Sequence, residues 1–374
     1  MSADLLSRTP LLAGNDAGAT RARILAHFHQ TFDRYEQLFE VLGCDEAYYV
    51  KPITLRHPLI FYFGHTATFF INKLTLAGLV TARIDPRLES MFAIGVDEMS
   101  WDDLDDAHYD WPSVAEVKAY RDKVRATVDH LVRSAPLTLP VGWDDPWWVI
   151  LMGIEHERIH LETSSVLIRQ HQLGFVRPHP AWQACREHGA APANALVDIP
   201  AGEVRLGKAR DDGYYGWDNE YGRHTAAVAG FKAARQLVSN GEFLAFVDAG
   251  AYADDSLWTA EGLGWRNFAQ ATHPTFWLRE HGEWHLRLMT EVVTMPWNWP
   301  VETNYHEAKA FCHWKARTTG APVRLPSEDE WYRLVAVAGV GELAEHEPAR
   351  ANLHLDHWAS SCPVDRFAHG PLFD

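Results

Sequence analysis

The sequence predicts an all-helical bundle followed by an α+β domain. Two observations carry that expectation. The first ~170 residues contain four long stretches with apolar side chains at helical spacing, and after about residue 195 the period changes and Gly and aromatic residues punctuate short segments. At 374 residues the chain also exceeds one average domain.

The first helix is expected over Arg21 to Leu42, where Ile24, Phe28, Phe32, Tyr35, Leu38 and Phe39 share a stripe that stops at Gly43. A second starts with Pro58 in its first turn and runs to about Val80. Its stretch Leu59-Ile60-Phe61-Tyr62-Phe63-Gly64-His65 is apolar nearly all round, which predicts burial. A third begins at Ser113, with Glu116 as capping-box partner and Val114, Val117, Val124 and Leu131 on one side. A fourth opens at Asp145-Pro146 and extends from Trp147 to about His171. Helices of this length with polar outer faces predict a four-helix bundle. The second connection, Thr81 to Pro112, is long and acidic (Asp97, Glu98, Asp102, Asp103, Asp105, Asp106) and carries Met99 and Trp101. A long loop of that kind over a bundle is expected to cover a site.

The bundle is expected to occupy residues 1–171, a Pro-, Ala-, Gly- and His-rich linker 172–194, and the α+β domain 195–374. In the last, Val197 to Leu206 alternates around Pro200-Ala201-Gly202 and predicts a hairpin. Two helices follow, Tyr305 to about Arg317 closed near Gly320, and one capped by Ser327 with Glu330.

A net charge of −16, from 34 basic and 50 acidic side chains without a basic cluster, argues against nucleic acid and anionic membrane as partners. The longest uninterrupted apolar run, Trp147 to Ile154, is too short to span a bilayer. Met1 to Ala17 lacks a signal pattern, and Cys44, Cys185, Cys312 and Cys362 form no CxxC pair. A cytoplasmic protein with reduced thiols is the expectation.

The informative segment is Glu155-His156-Glu157-Arg158-Ile159-His160-Leu161-Glu162. Two His four apart lie on one helix face, one turn above the other, with spacing suited to one metal ion. Spacing alone is weak, because 21 His in 374 residues give about one such pair by chance. The chain has a second, His281/His285, which brackets Gly282 and Trp284 in a polar, turn-like stretch and is read as the chance one. His156 and His160 instead share a stripe with Val149, Met152, Gly153, Thr163 and Leu167, which is read as the inward face. Buried imidazoles need partners: a metal, or carboxylates and backbone carbonyls. His65, midway along the other strongly apolar helix, is the third ligand candidate, although a lone His there is commonly a hydrogen-bonded core residue. All-imidazole ligation suits Fe, Zn, Cu or Ni, and three protein ligands leave positions open for catalysis. Glu155, Glu157 and Glu162 either hold ring N–H groups or are solvated, the latter for at least two of them.

At these residues the chain resembles a known family. Gly64-His65-Thr66-Ala67-Thr68-Phe69-Phe70-Ile71-Asn72-Lys73 and the His156–His160 helix are similar to the DinB-type bundle of the iron-dependent sulfoxide synthases. Asn304-Tyr305-His306-Glu307-Ala308-Lys309-Ala310-Phe311 and Arg324-Leu325-Pro326-Ser327-Glu328-Asp329-Glu330-Trp331 resemble the formylglycine-generating-enzyme fold, which is C-type-lectin-like. That pairing marks the ergothioneine and ovothiol branches. Four strings resemble the ovothiol branch, the 5-histidylcysteine sulfoxide synthases: Leu55 to Tyr62, Gly95 to Leu104, Glu157 to Ser165, and Ala359 to Asp365.

The resemblance implies Fe(2+) held by His65, His156 and His160, with histidine, cysteine and oxygen as substrates and a sulfoxide as product. The ergothioneine branch has a Gln immediately before the second motif His, where this chain has Ile159. The resemblance further implies that part of the second domain, including the family's active-site tyrosine, lies beyond Asp374, so no catalytic or substrate-contact residue is assigned. An ergothioneine-type synthase using another thiol or trimethylhistidine, a metal-dependent DinB-type thiol S-transferase, and a lectin-like binding module are the rival readings.

Overall fold

The computed structural model describes residues 9–93, 109–339, 351–353, 355 and 357–373. The chain divides into two compact units, Met1–Trp182 with Lys208–Gly222, and Gln183–Gly207 with Arg223–Asp374. No helix among the described residues is long and apolar enough to cross a membrane. The acidic residues 97–106 of the second connection, with Met99 and Trp101, lie outside the described residues.

In the first unit, α1 (Ala17–Phe39) is capped by the Asp16 side chain on the Ala19 amide. The second helix, α2 (Leu59–Leu76), buries residues on every face, as its uniformly apolar sequence requires. A short helix, α3 (Pro86–Met91), stands in the long second connection, where only a loop was expected. Asp85 caps it and Pro86 occupies its first turn, a start signal that sits plainly in the sequence. The third long helix, α4 (Val114–Ser134), is capped by Ser113, but the Glu116 carboxylate pairs with Arg87. The last, α5 (Pro146–Gln170), begins on the Asp145 cap. Both α4 and α5 pack against α1 and α2, so α1 and α2 face each other across the bundle.

One buried ion pair crosses this bundle. Arg121 on α4 and Glu157 on α5 are both fully buried, with Nη2 2.7 Å from Oε1. Arg121 Nη1 also donates to the Phe63 carbonyl and the Thr66 hydroxyl of α2, each at 2.9 Å, and Nε donates to Glu36 of α1 at 3.0 Å. Its guanidinium lies over the Phe32 ring at 4.2 Å. One side chain therefore joins all four long helices.

Residues 208–222 return to the first unit, where Tyr215 packs on Trp148 and the Leu12 amide donates to the Gly213 carbonyl. Within 172–194, Val176 bridges to Leu42, Trp182 is buried with its indole N–H on the Gln37 carbonyl, and Cys185 is buried in the second unit.

The second unit holds β1 (Leu196–Ile199), β2 (Gly202–Leu206), β3 (His224–Val228), β4 (Phe231–Ala234), α6 (Asn240–Asp248), α7 (Ala260–Ala269), β5 (Trp277–Glu280), β6 (Glu283–Arg287), β7 (Val292–Thr294), α8 (Tyr305–Thr319), α9 (Glu328–Ala338), β8 (Ala368–His369) and β9 (Leu372–Phe373). The expected hairpin over Val197 to Leu206 does not form. Instead β1 pairs with β4 and β2 with β3, both antiparallel. Pro200 offers no N–H to a ladder, and the Pro200 and Ala201 carbonyls accept from Arg333, so the chain turns there onto a second sheet. The expected cap of α9 is present, closed reciprocally by Ser327 with Glu330, and α8 carries an equivalent box of Asn304 with Glu307. The core gathers Phe243, Phe246, Trp277, Leu286, Trp299 and Phe311.

Removing one partner of a buried pair leaves an uncompensated charge, so Arg121→Met is expected to cost ~3–5 kcal/mol. Arg121→Met/Glu157→Leu should recover most of that loss. Urea unfolding followed by helix signal checks both. A double variant no more stable than Arg121→Met would refute the charge explanation.

Candidate metal centre

The site is built by two helices whose close approach depends on a glycine. A Cβ on Gly153 of α5 would lie 2.3 Å from two ring carbons of Phe70 on α2, so only glycine leaves room for that ring. At this contact α2 presents His65, and α5 presents His156 and His160. One donor atom from each of the three imidazoles lies within 4.8 Å of the others. The ring centroids are 5.1 Å apart for His65 and His156, 4.9 Å for His65 and His160, and 4.5 Å for His156 and His160.

These residues fit a metal on three grounds. Metal–nitrogen distances of about 2.1 Å put the ligand nitrogens within reach of a single ion after modest ring rotation. The Nδ1 atoms of His156 and His160 are buried without a hydrogen-bond partner, a costly state for a polar atom that a ligand relieves. Burial also keeps both rings neutral, and a neutral ring is the ligating form. Desolvation, then the neighbouring His160, His65 and Lys73, hold His156 well below the usual imidazole range, and desolvation with His65 lowers His160 to about 3. The set contains no thiolate or carboxylate, which matches the all-imidazole reading.

The rings are also fixed from outside. His65 Nδ1 lies 2.7 Å from the Phe92 carbonyl, which can only accept, so Nδ1 carries the proton and the lone pair of the neutral ring is on Nε2. Phe61 stacks on His65 at 5.0 Å, and Phe69 stacks on His156 at 3.7 Å with an 8° interplanar angle. Lys73 places its ammonium over the Phe69 ring, 5.3 Å from the centroid.

The sequence misplaced some details. The stripe of Val149, Met152, His156 and Thr163 is only half-buried, and the fully buried line of α5 runs through Gly153, Glu157, His160 and Ser164. Glu157 and Glu155 are not solvated. Glu157 is tied to Arg121 and accepts from Thr66, while Glu155 meets His27 at 3.2 Å and Thr9 at 3.0 Å. Only Glu162 of the three is exposed. His281 sits in the β5–β6 turn with φ +50° and His285 on β6, outside the cluster. The Phe92 carbonyl was missed, since a backbone acceptor carries no residue-type signal.

Comparison with known proteins agrees with this architecture. The DinB superfamily matches residues 27–164, and the sulfatase-modifying factor enzyme 1-like domain matches residues 183–366. The chain thus carries a DinB-like helical domain followed by a sulfatase-modifying-factor-like α+β domain. It is similar to hercynine oxygenase of Mycobacterium tuberculosis, 30% identical over 65% of this chain and 53% of that protein. It is also similar to ergothioneine biosynthesis protein 1 of Neurospora crassa, 29% identical over 53% of this chain and 24% of the relative. The protein of the same name in Schizosaccharomyces pombe is 23% identical over 75% and 38%. The chain therefore spans between a quarter and about half the length of these relatives.

Alanine is ordinarily favoured over glycine inside a helix by ~1 kcal/mol. Gly153→Ala is nevertheless expected to destabilise by ~1–3 kcal/mol, because its Cβ overlaps the Phe70 ring. Phe70→Leu in the same chain should restore part of the loss. Thermal unfolding of the single and double variants measures the sign, and a stabilised Gly153→Ala would contradict the packing described.

Proposed function

We propose that the chain is the iron-binding part of an oxygen-dependent sulfoxide synthase, joining the sulfur of cysteine to the imidazole of histidine. The observation that carries this reading is the convergence of His65, His156 and His160 from two helices with no other ligand type among them. The similarity to hercynine oxygenase and ergothioneine biosynthesis protein 1 supports the reaction class. The preference for cysteine and histidine rests on the resemblance of the four strings from Leu55 to Asp365 to the ovothiol branch.

Bound iron(II) would supply oxygen activation and a common point of attachment for the two substrates. The protein's own contribution is to hold three neutral imidazoles in fixed orientation. Phe61 and Phe69 wall His65 and His156, and the Phe92 carbonyl fixes the His65 tautomer. Tyr62, 6.0 Å from His160 between ring centroids, adds a third aromatic wall. Ile159, 47% exposed, offers no hydrogen bond to a substrate imidazole, so in this reading that ring is held elsewhere.

The balance is complete with oxygen as the only oxidant. A thiol S–H and an imidazole C–H are lost as the C–S bond forms, one oxygen atom remains on sulfur, and the other leaves as water with both hydrogens. The names of the relatives favour a second reading in which hercynine replaces histidine. The test is to incubate the anaerobically prepared, iron(II)-loaded chain with cysteine and oxygen, giving histidine in one arm and hercynine in the other. A product weighing the two amino acids plus O2 less water, in the histidine arm, is expected. Product only with hercynine would transfer the chain to the second reading, and a chain that takes up no iron(II), and so forms no product in either arm, would refute both.

Each of His65→Ala, His156→Ala and His160→Ala is expected to lower bound iron at least ~10-fold, whereas His281→Ala leaves it at the parent level. Iron analysis after gel filtration reads this directly. Parental iron in His156→Ala would remove the basis of the proposal.

A further inference from the structure

A second cluster of buried polar contacts lies just outside the histidines. Glu89 of α3 is fully buried, and its Oε1 accepts from the Ile84 amide at 2.8 Å and the Asp85 amide at 3.0 Å. Its Oε2 is paired with Arg83. The Glu89 carbonyl accepts from Asn72 of α2 at 3.2 Å, and Asn72 also receives Arg83 at 3.1 Å. This knot binds the start of α3 to its own last turn and to α2. Three residues later comes Phe92, whose amide donates to the Leu88 carbonyl and whose own carbonyl accepts the His65 Nδ1 proton. Phe92 is fully buried against Gly64, where a Cβ would come within 2.3 Å of its ring.

A carboxylate removed from water needs this density of donors, and mere capping of a six-residue helix does not require it. Asp85 already accepts from the Arg87 and Leu88 amides as the cap. What Glu89 adds is rigidity in the turn that ends at the Phe92 carbonyl. An imidazole that ligates through one nitrogen depends on the acceptor of the other for its tautomer and ring angle.

We propose that Glu89 is a positioning residue for the three-histidine centre: it fixes the turn carrying the Phe92 carbonyl, which holds the proton on His65 Nδ1 and presents Nε2 to a metal. This rests on the metal-centre reading, but its first consequence is visible without metal. In the metal-free full chain, nitrogen-15 NMR of the histidine rings should show His65 as a single tautomer protonated on Nδ1. Glu89→Ala should give a mixture of tautomers. Glu89→Gln, whose amide oxygen can still accept from the Ile84 and Asp85 amides, should restore the single form. Gly64→Ala acts from the other end of the chain of contacts, in a helix interior where alanine is otherwise favourable, and should also release the tautomer. With cobalt(II) as probe, Glu89→Ala and Gly64→Ala should bind ~10–100-fold more weakly than the parent and shift the cobalt absorption bands. A folded Glu89→Ala with the parental tautomer and cobalt affinity would overturn the proposal. If Glu89→Ala fails to fold, an unchanged tautomer in Gly64→Ala overturns it equally. A parent that binds no cobalt but keeps the single tautomer would refute the metal reading, leaving the Glu89–Phe92–His65 link supported.

Discussion

The bundle depends on one guanidinium. Arg121 is fully buried, and an ion of that kind is tolerated inside a protein only when its donors are met by well-placed acceptors. Here they are met by Glu36, Phe63, Thr66 and Glu157, from three different helices. The pair with Glu157 fixes the rotation of α5 about its axis. Successive residues turn by about 100°, so with Glu157 pointing at Arg121, His156 and His160 fall on the same side of it, about 40° apart. The bonds to Phe63 and Thr66 do the same for α2, and His65 lies between them in sequence. The ion pair is thus a register pin, and the imidazole cluster is the result of two helices being pinned to the same point.

Packing sets how closely those two helices approach, and hydrogen bonds set how the rings are turned. The missing side chain at Gly153 admits Phe70, and that at Gly64 admits Phe92. The second of these carries over into chemistry, because the ring contact brings a carbonyl to His65 Nδ1. Aromatic faces then close over the rings, with Phe61 on His65 and Phe69 on His156. Such walls lower the local polarity, which is consistent with the depressed imidazole basicity of His156 and His160.

In the second unit, the strings that made the sequence resemble a family serve its architecture. Asn304 and Glu307 close the cap of α8, and Glu307 also accepts the Tyr252 hydroxyl at 2.6 Å, a bond buried in the core. Arg324 grips Glu330 through both nitrogens while Glu330 completes the cap of α9. Burial and reciprocal bonding of this kind impose residue identity at fixed spacing, so a fold leaves a readable signature even where no chemistry occurs.

The sequence by itself determined the four long helices, the caps at Ser113, Asp145 and Ser327, and the common helix face of His156 and His160, because helical period, cap chemistry and i,i+4 spacing are local properties; His65 stood out only as a candidate on a second apolar helix. It even contained the start of α3 at Asp85-Pro86. It did not determine where β1 and β2 would pair, since alternation identifies a strand but not its partner, and Pro200 with Arg333 sends the two onto different sheets. Nor did it tell which carboxylates on α5 would be buried. Glu155, Glu157 and Glu162 are alike in sequence, and only the arrival of Arg121 from α4 and His27 from α1 separates them. The acceptor for His65 was invisible for the same reason: every residue has a carbonyl, and which one meets an imidazole is decided when distant segments pack.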